Sequence, residues 1–205
     1  PGVGKTTIVQ AIAGAAGHRL VRINLSEQTD LTDLIGQDLP TADSDAASKN
    51  APSFRWSDGV LLTAIKAGDW VLLDEINLAQ QAVLEGLNSC LDHRSKIFIP
   101  ELGHEIVCPP SFRVFAAQNP LSQGGGRKGL PKSFLNRFTK VYMEAHTNED
   151  MALIVHERFS HLGSPTIDRM IKFGNFIHVD LDAGAIGQLG SPWEVNLRDL
   201  FRWGE

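Results

Sequence analysis

The chain opens on Pro1-Gly2-Val3-Gly4-Lys5-Thr6-Thr7, the stretch that decides its fold. It matches the end of the phosphate-binding pattern G-x-x-x-x-G-K-[ST], whose first glycine would precede Pro1. The glycines allow a tight turn that points backbone N–H groups at phosphate oxygens. Lys5 adds a cation, and the Thr6 hydroxyl can ligate Mg²⁺. The next residues predict a helix whose N-terminus faces the anion. The alternative is a glycine turn that caps an ordinary helix.

The composition argues against several classes of protein. A net charge of −5 does not suit a protein that grips nucleic acid mainly through a basic face. The seven histidines are scattered, and their spacing predicts no metal site. The two cysteines, Cys90 and Cys108, suit a reducing compartment and need not pair. No apolar run reaches membrane-spanning length, and no secretory signal is present.

A strand with two acids at its end is the second informative stretch. Residues 70–73, Trp-Val-Leu-Leu, are continuously apolar, which is typical of a parallel strand covered on both faces. Ligands bind at the carboxyl ends of strands in an open α/β sheet. Because adjacent strand side chains diverge, we expect Asp74 to hold Mg²⁺ through water and Glu75 to polarise the attacking water. The alternative is a strand that simply ends in polar residues.

A third stretch, Arg113-Val114-Phe115-Ala116-Ala117-Gln118-Asn119-Pro120, predicts another buried strand. Asn119 at its carboxyl end could orient a water beside the γ-phosphate, and a turn asparagine before proline is the alternative. Residues 124–129, Gly-Gly-Gly-Arg-Lys-Gly, lack the Gly-Lys-Ser/Thr ending of a phosphate loop. We therefore interpret them as a flexible connector.

The remaining pattern divides the chain near residue 146. Before that point helices and strands alternate, and after it helices are predicted alone. Residues 40–53 are rich in Asp, Ser and Ala and predict a solvated insertion. We expect an α/β lobe over 1–146, whose first strand precedes Pro1, and an incomplete helical lobe over 147–205. The predicted strands are 19–23, 70–75, 113–119 and 139–143, with a hairpin of 97–99 and 105–107; the predicted helices are 7–13, 31–35, 60–67, 83–91, 133–138, 149–161, 167–176 and 196–203.

The fixed order of these motifs resembles the AAA+ ATPases. The resemblance implies a three-layer phosphate-loop fold with a parallel sheet, and ATP hydrolysis with Mg²⁺. Residues 1–7 (Pro1, Gly2, Val3, Gly4, Lys5, Thr6 and Thr7) match the Walker A loop, which binds the nucleotide. Asp74 and Glu75 match the Walker B acids, and Asn119 matches sensor 1. In this family Thr6 and Asp74 would hold the metal.

Two arginines receive roles only from this resemblance. Arg137, in Phe134-Leu135-Asn136-Arg137-Phe138, matches the arginine finger that reaches a neighbouring module's nucleotide. Without the family, an exposed arginine on a short helix would be an ordinary surface residue. Arg198, in Asn196-Leu197-Arg198-Asp199, matches sensor 2. The hairpin at 96–108 looks like the insertion that precedes sensor 1 in this family.

Further stretches resemble one branch of the family, the very large dynein-like nuclear ATPases of large ribosomal subunit assembly. That resemblance implies a ring of six modules in one polypeptide, of which this chain is similar to a catalytically competent one, the third. It implies neighbouring modules, precursor large ribosomal subunits and their assembly factors as partners, and the nucleolus and nucleoplasm as location. No membrane and no sequence-specific nucleic acid is implied. The stretches are 24–30, 72–79, 98–103, 116–120, 125–131 and 196–203.

Two other hypotheses stay open. The chain could belong to a MoxR-type AAA+ chaperone motor, which has one module rather than six. It could also be a structural module that holds ATP without turning it over. The presence of Glu75 and Arg137 argues against the second alternative.

Overall fold

A computed structural model describes residues 2–40, 54–88, 90–91, 96–100, 102–120, 126–186 and 195–205. The contacts form two compact units, one of Thr6–Lys140 and one of Pro1–Lys5 together with Val141–Glu205. The boundary expected near residue 146 stays a prediction. Residues 41–53 of the predicted insertion lie outside the described residues, as do residues 124 and 125 of the glycine-rich connector.

The predicted alternation of helices and strands is present in the unit of Thr6–Lys140. Helix α1 begins at Lys5, within the Walker A match, and continues into this unit. The strands are β1 (Leu20–Asn24), β2 (Gly36–Pro40), β3 (Phe54–Asp58), β4 (Trp70–Asp74), β5 (Lys96–Ile99), β6 (His104–Val107) and β7 (Arg113–Ala116); the helices are α1 (Lys5–Ala15), α2 (Leu31–Ile35), α3 (Val60–Ala67), α4 (Gln81–Asn88) and α5 (Lys132–Leu135), with a 3-10 turn at Ile76–Leu78.

A parallel sheet of three strands, in the order β1-β4-β7, organises this unit. The central strand β4 is buried from Val71 to Asp74, as its continuous apolar sequence predicts. Its register places Asn24 opposite Asp74 on one side and Ala116 opposite Leu73 on the other. The carboxyl ends of all three strands therefore meet at one edge. The α/β phosphate-loop fold predicted from the sequence is confirmed.

The core of this unit lies where helices cover the sheet. Helix α3 buries Leu61, Leu62, Ala64 and Ile65, and it ends before Gly68 as predicted. Helix α4 contributes Val83, Leu84 and Leu87, the residues whose helical spacing predicted a core face. Burial of these side chains supplies most of the favourable free energy that holds the helices on the sheet.

One antiparallel hairpin was expected and one was not. Strands β5 and β6 pair as predicted, with Lys96 opposite Val107. Strands β2 and β3 also pair, with Gly36 opposite Asp58, on either side of residues 41–53. Sequence inspection missed β2 because Gly-Gln-Asp-Leu-Pro offers few residues that favour strands. Lys66 donates a hydrogen bond to Asp58 and is the main reason that the pKa of this carboxyl lies below its usual value.

The strand expected at 139–143 is wrong. These residues are irregular, and no described strand pairs with them. The Val141 and Tyr142 side chains are 82% and 88% exposed. A strand forms only where its backbone groups find partners and its apolar side chains are covered, and this segment has neither within the described residues.

The second unit has a helical core of its own. Its helices are α6 (Asn148–Arg158), α7 (Ser164–Asp182) and α8 (Leu197–Gly204). Thr147 and Asp150 form a reciprocal capping box at the start of α6, and the hydrogen bonds from Thr147 lower the pKa of Asp150. Asn196 and Asp199 form the same box at the start of α8. The buried side chains that join the helices are Val155, Phe159, Ile167, Ile171, Leu197 and Leu200.

The side chains of Cys90 and Cys108 are both buried. Burial raises the pKa of the Cys108 thiol, which disfavours its reactive thiolate form. In the described part of the chain, no helix combines the length and the apolar character that crossing a membrane requires.

Candidate active site

Asp74 is the last residue of the central strand, and its carboxylate is buried beside the start of α1. The Thr6 Oγ1 atom lies 3.2 Å from Asp74 Oδ2. Arg22, from the neighbouring strand β1, donates to the same oxygen from Nη2 at 2.6 Å and from Nε at 3.0 Å. The backbone N–H of Glu75 donates to Asp74 Oδ1 at 3.1 Å. The structure thus brings together the two residues that the sequence predicted as metal ligands.

Glu75 leaves the strand through a left-handed turn. Its φ of 55° and ψ of 41° make it the one non-glycine residue with positive φ in the described part of the chain. Such a backbone costs about 1–3 kcal/mol and tends to occur at functional sites. We expected the two acids to diverge because adjacent strand residues alternate. Instead, only Asp74 is a strand residue, at the end of β4, and Glu75 begins the turn that follows. The two side chains diverge because the backbone conformation changes between them.

Asn119 meets Glu75 across the carboxyl ends of β4 and β7. Its Nδ2 atom lies 2.5 Å from Glu75 Oε1, and the residue is buried. The Asn77 side chain fixes the same segment, because its Nδ2 donates to the Asn119 carbonyl at 2.9 Å. An asparagine that merely turns the chain before a proline would not need this buried contact with an acid.

Arg127 is a neighbour of the site that sequence inspection did not predict. Its Nη2 atom lies 3.4 Å from Glu75 Oε2, and the backbone N–H of Lys128 donates to the Asn77 carbonyl at 2.9 Å. The described part of the glycine-rich connector is therefore anchored beside Glu75 and is not a free linker. The single signal in the sequence was an arginine within a glycine-rich stretch, and that pattern predicts no contact by itself.

The Walker A match contains two residues in the glycine-favoured region of backbone space. Gly2 and Gly4 both have a φ of +79°. Such backbone suits a turn whose N–H groups point at an anion, and the N-terminus of α1 follows directly at Lys5. This local geometry fits the phosphates of a nucleotide. Pro1 was predicted as part of the loop and lies outside the described residues.

The donor set beside Asp74 fits Mg²⁺. This hard cation takes oxygen ligands and is usually bound by one or two carboxylates together with substrate phosphates and waters. The Thr6 hydroxyl and the Asp74 carboxylate provide such oxygens. The described residues contain no group of three or more His, Cys, Asp or Glu that could hold a metal ion without a substrate. A cation here would therefore depend on the nucleotide for further ligands.

One predicted arginine follows α5, and the other begins α8. Arg137 is exposed in the turn that follows α5. Arg198 is exposed in the first turn of α8, in the unit of Pro1–Lys5 and Val141–Glu205. Its backbone N–H is capped by the Asn196 side chain at 3.0 Å. Within that unit Gly2 lies so close to Asn196 that an added Cβ would come within 2.9 Å of Asn196 Oδ1. The roles assigned to both arginines stay predictions.

Comparisons with known protein families match both parts of the chain. Residues 1–138 match the family described as AAA domain, dynein-related subfamily. Residues 150–205 match the family described as midasin AAA lid domain.

Curated relatives point the same way. The chain is similar to midasin of Dictyostelium discoideum, with 55% identity over 99% of the chain. It is similar to midasin of Giardia intestinalis, with 49% identity over 98% of the chain. The chain spans only 3% and 4% of the lengths of these two proteins. These matches confirm the resemblance to this branch of the AAA+ family.

A solved structure supports the fold alone. It is titled a putative ATPase from Cytophaga hutchinsonii, and it matches 85% of this chain and 51% of its own with a TM-score of 0.54. The sequence identity is 21%.

Proposed function

Because the chain belongs to the dynein-related subfamily of AAA domains, we propose that it binds ATP with Mg²⁺ and hydrolyses the nucleotide. The observation that carries this proposal is the contact between Glu75 and Asn119, next to Asp74 and Thr6. Glu75 acts as the general base that polarises water. Asn119 orients that base. Thr6 and Asp74 hold the Mg²⁺, whose chemistry is to neutralise charge on the phosphates.

The partly buried contacts of Glu75 support hydrolysis over mere nucleotide storage. A structural module would need the loop of residues 2–7 but would gain nothing from Glu75 in a left-handed conformation. The strain of that backbone is maintained by contacts on both sides of the carboxylate, from Asn119 and from Arg127. Strain that surrounding contacts hold in place is more typical of a catalytic site than of a fold-stabilising one.

The wider proposal rests on the similarity to midasin. We propose that the chain is one module of a ring of six in a single polypeptide, and that the third module is the one it represents. In this proposal ATP hydrolysis powers the remodelling of precursor large ribosomal subunits and the release of assembly factors in the nucleus. Arg137 would act on a neighbouring module's nucleotide, and Arg198 on the nucleotide of its own module.

The experiment that tests the proposal is single-turnover hydrolysis of radiolabelled ATP by the full-length protein. In the test protein, this module alone keeps its Walker B acids. The matched control carries Lys5→Ala in the same background and has no working phosphate loop. Hydrolysis that disappears with Lys5→Ala supports the proposal. ATP bound by the test protein but never hydrolysed would make this a structural module instead.

A further inference from the structure

Asp74 Oδ2 accepts from more donors than its lone pairs can serve fully. Arg22 Nη2 lies 2.6 Å away, Arg22 Nε lies 3.0 Å away and Thr6 Oγ1 lies 3.2 Å away. The other carboxylate oxygen, Oδ1, accepts from the backbone N–H of Glu75. Each carboxylate oxygen offers about two lone-pair sites. A water that is bound to Mg²⁺ is also a donor, so it can reach Oδ2 only where one of these three donors leaves.

The two partners differ in how easily they can move. The Asp74 side chain is 10% exposed and belongs to the last residue of a strand that is hydrogen-bonded on both sides, whereas the Arg22 side chain is 49% exposed. A long, half-exposed guanidinium can turn into water at small cost. A buried carboxylate that lost its counter-ion would be strongly unfavourable. Asp74 can therefore exchange one cation for another, and the loss of both would be costly.

We propose that Arg22 competes with the divalent cation for Asp74, so that Mg²⁺ enters the site by displacing the guanidinium from Oδ2. This inference rests on the proposed function, because it concerns the same site. Arg22 is then a positioning residue that sets how much Mg²⁺ the module requires before the nucleotide is bound productively. It keeps the carboxylate charge compensated whenever the metal leaves with the product.

The opposite role for Arg22 makes a different prediction. If the guanidinium only holds Asp74 in the orientation that the metal needs, its removal weakens metal binding. If it competes, its removal strengthens metal binding. The sign of the change in metal affinity therefore decides between the two roles.

The test uses the full-length protein and Mn²⁺ as a paramagnetic replacement for Mg²⁺. Bound Mn²⁺ is counted by electron paramagnetic resonance during a titration at fixed ATP, and the signal of this module is obtained by subtracting the Lys5→Ala protein. We expect Arg22→Gln to lower the half-saturating Mn²⁺ concentration about fivefold. This is the change in affinity that corresponds to the free energy of a half-exposed ion pair. Arg22→Lys keeps the positive charge but loses the planar guanidinium that donates two hydrogen bonds to Asp74. It should lower the half-saturating Mn²⁺ concentration by a smaller factor.

Arg19→Gln is the matched control. Arg19 directly precedes β1, the strand that carries Arg22, and its side chain is highly exposed. It lies 3.8 Å from Asp69, at the start of the paired strands β1 and β4, whereas Asp74 lies at their carboxyl ends. Its removal should leave the Mn²⁺ titration unchanged. The affinity of each variant for ATP is also measured in EDTA, where no divalent cation is bound. A change in affinity that persists in EDTA comes from the lost arginine charge near the phosphates, whereas a change seen only with Mn²⁺ comes from metal binding at Asp74.

Two results would overturn the inference, and they differ from failure of the proposed function. An unchanged or higher half-saturating Mn²⁺ concentration in Arg22→Gln excludes competition while the module still binds ATP. If Arg22→Gln does not fold, an unchanged or higher value in Arg22→Lys excludes it equally. No Lys5-dependent binding of Mn²⁺ and ATP in the parent protein would overturn both the inference and the proposed function.

Discussion

Asn119 donates a hydrogen bond of 2.5 Å to the Glu75 carboxylate, although the two residues are 44 positions apart in the chain. The contact exists because β4 and β7 are parallel neighbours whose carboxyl ends lie side by side. It places an amide donor on the carboxylate of Glu75, whose backbone has a positive φ of 55°. This relationship defines the first experiment.

Glu75→Gln should retain ATP binding and lose turnover. Glutamine keeps an acceptor for Asn119 but cannot take a proton, and a positioned general base is worth about 10²–10⁴-fold. Single-turnover hydrolysis and ATP affinity are measured in the full-length protein with only this module's Walker motifs intact. Glu85→Gln is the control, because Glu85 is an exposed residue of α4 that pairs with Gln81. Parental turnover in Glu75→Gln would exclude Glu75 as the base.

Lys5→Ala should weaken ATP binding about 10- to 100-fold, since a charge-assisted hydrogen bond to the phosphates is lost. Lys66→Ala is a suitable control, because Lys66 on α3 forms an ion pair with Asp58 on β3. Affinity for a fluorescent ATP analogue is measured by titration of the full-length protein. An affinity unchanged by Lys5→Ala would remove the nucleotide-site assignment.

Arg137→Ala should lower hydrolysis at a neighbouring module and leave ATP binding at the Lys5 site intact. An arginine that reaches a transferring phosphoryl group is worth roughly 10³–10⁵-fold in rate. Full-length proteins that each retain one working Walker B acid show at which module the loss occurs. Lys132→Ala provides the control, because Lys132 is an exposed cation of α5, the short helix that precedes Arg137. Loss at this module's own site would mean that Arg137 acts in cis.

Leu62→Ala should destabilise the α/β unit by about 2–5 kcal/mol, because Leu62 is 0% exposed and a cavity would replace its side chain. Leu153→Ala, at a position 72% exposed, should change stability by less than about 0.5 kcal/mol. Hydrogen exchange of the peptides that cover α3 and β4 is measured by mass spectrometry in the full-length protein. Equal protection in the two variants would contradict the assigned core.

Much of the fold followed from local patterns. The apolar run of β4 predicted a buried parallel strand, and the spacing of Val83, Leu84 and Leu87 predicted a core helix. Residues 1–7 indicated a phosphate loop before any contact was known, because that chemistry needs specific residue types at fixed spacing. The position of Asp74 at a strand end followed from the same reasoning, whereas β7 ends at Ala116 and Asn119 lies in the loop that follows it. The roles of both residues stay predictions.

The tertiary structure decided what depends on partners far apart in the chain. The sequence determined which segments are apolar, where glycines permit tight turns and which residues can carry phosphate and metal chemistry, because these are properties of neighbouring residues. It did not determine that 139–143 would pair with none of the described strands, that Glu75 would turn left-handed, or that Arg22 and Arg127 would reach the two acids. Those outcomes depend on backbone pairing and on ion pairs, and in each of the two ion pairs the partners are 52 positions apart. The local sequence does not determine which distant groups make contact.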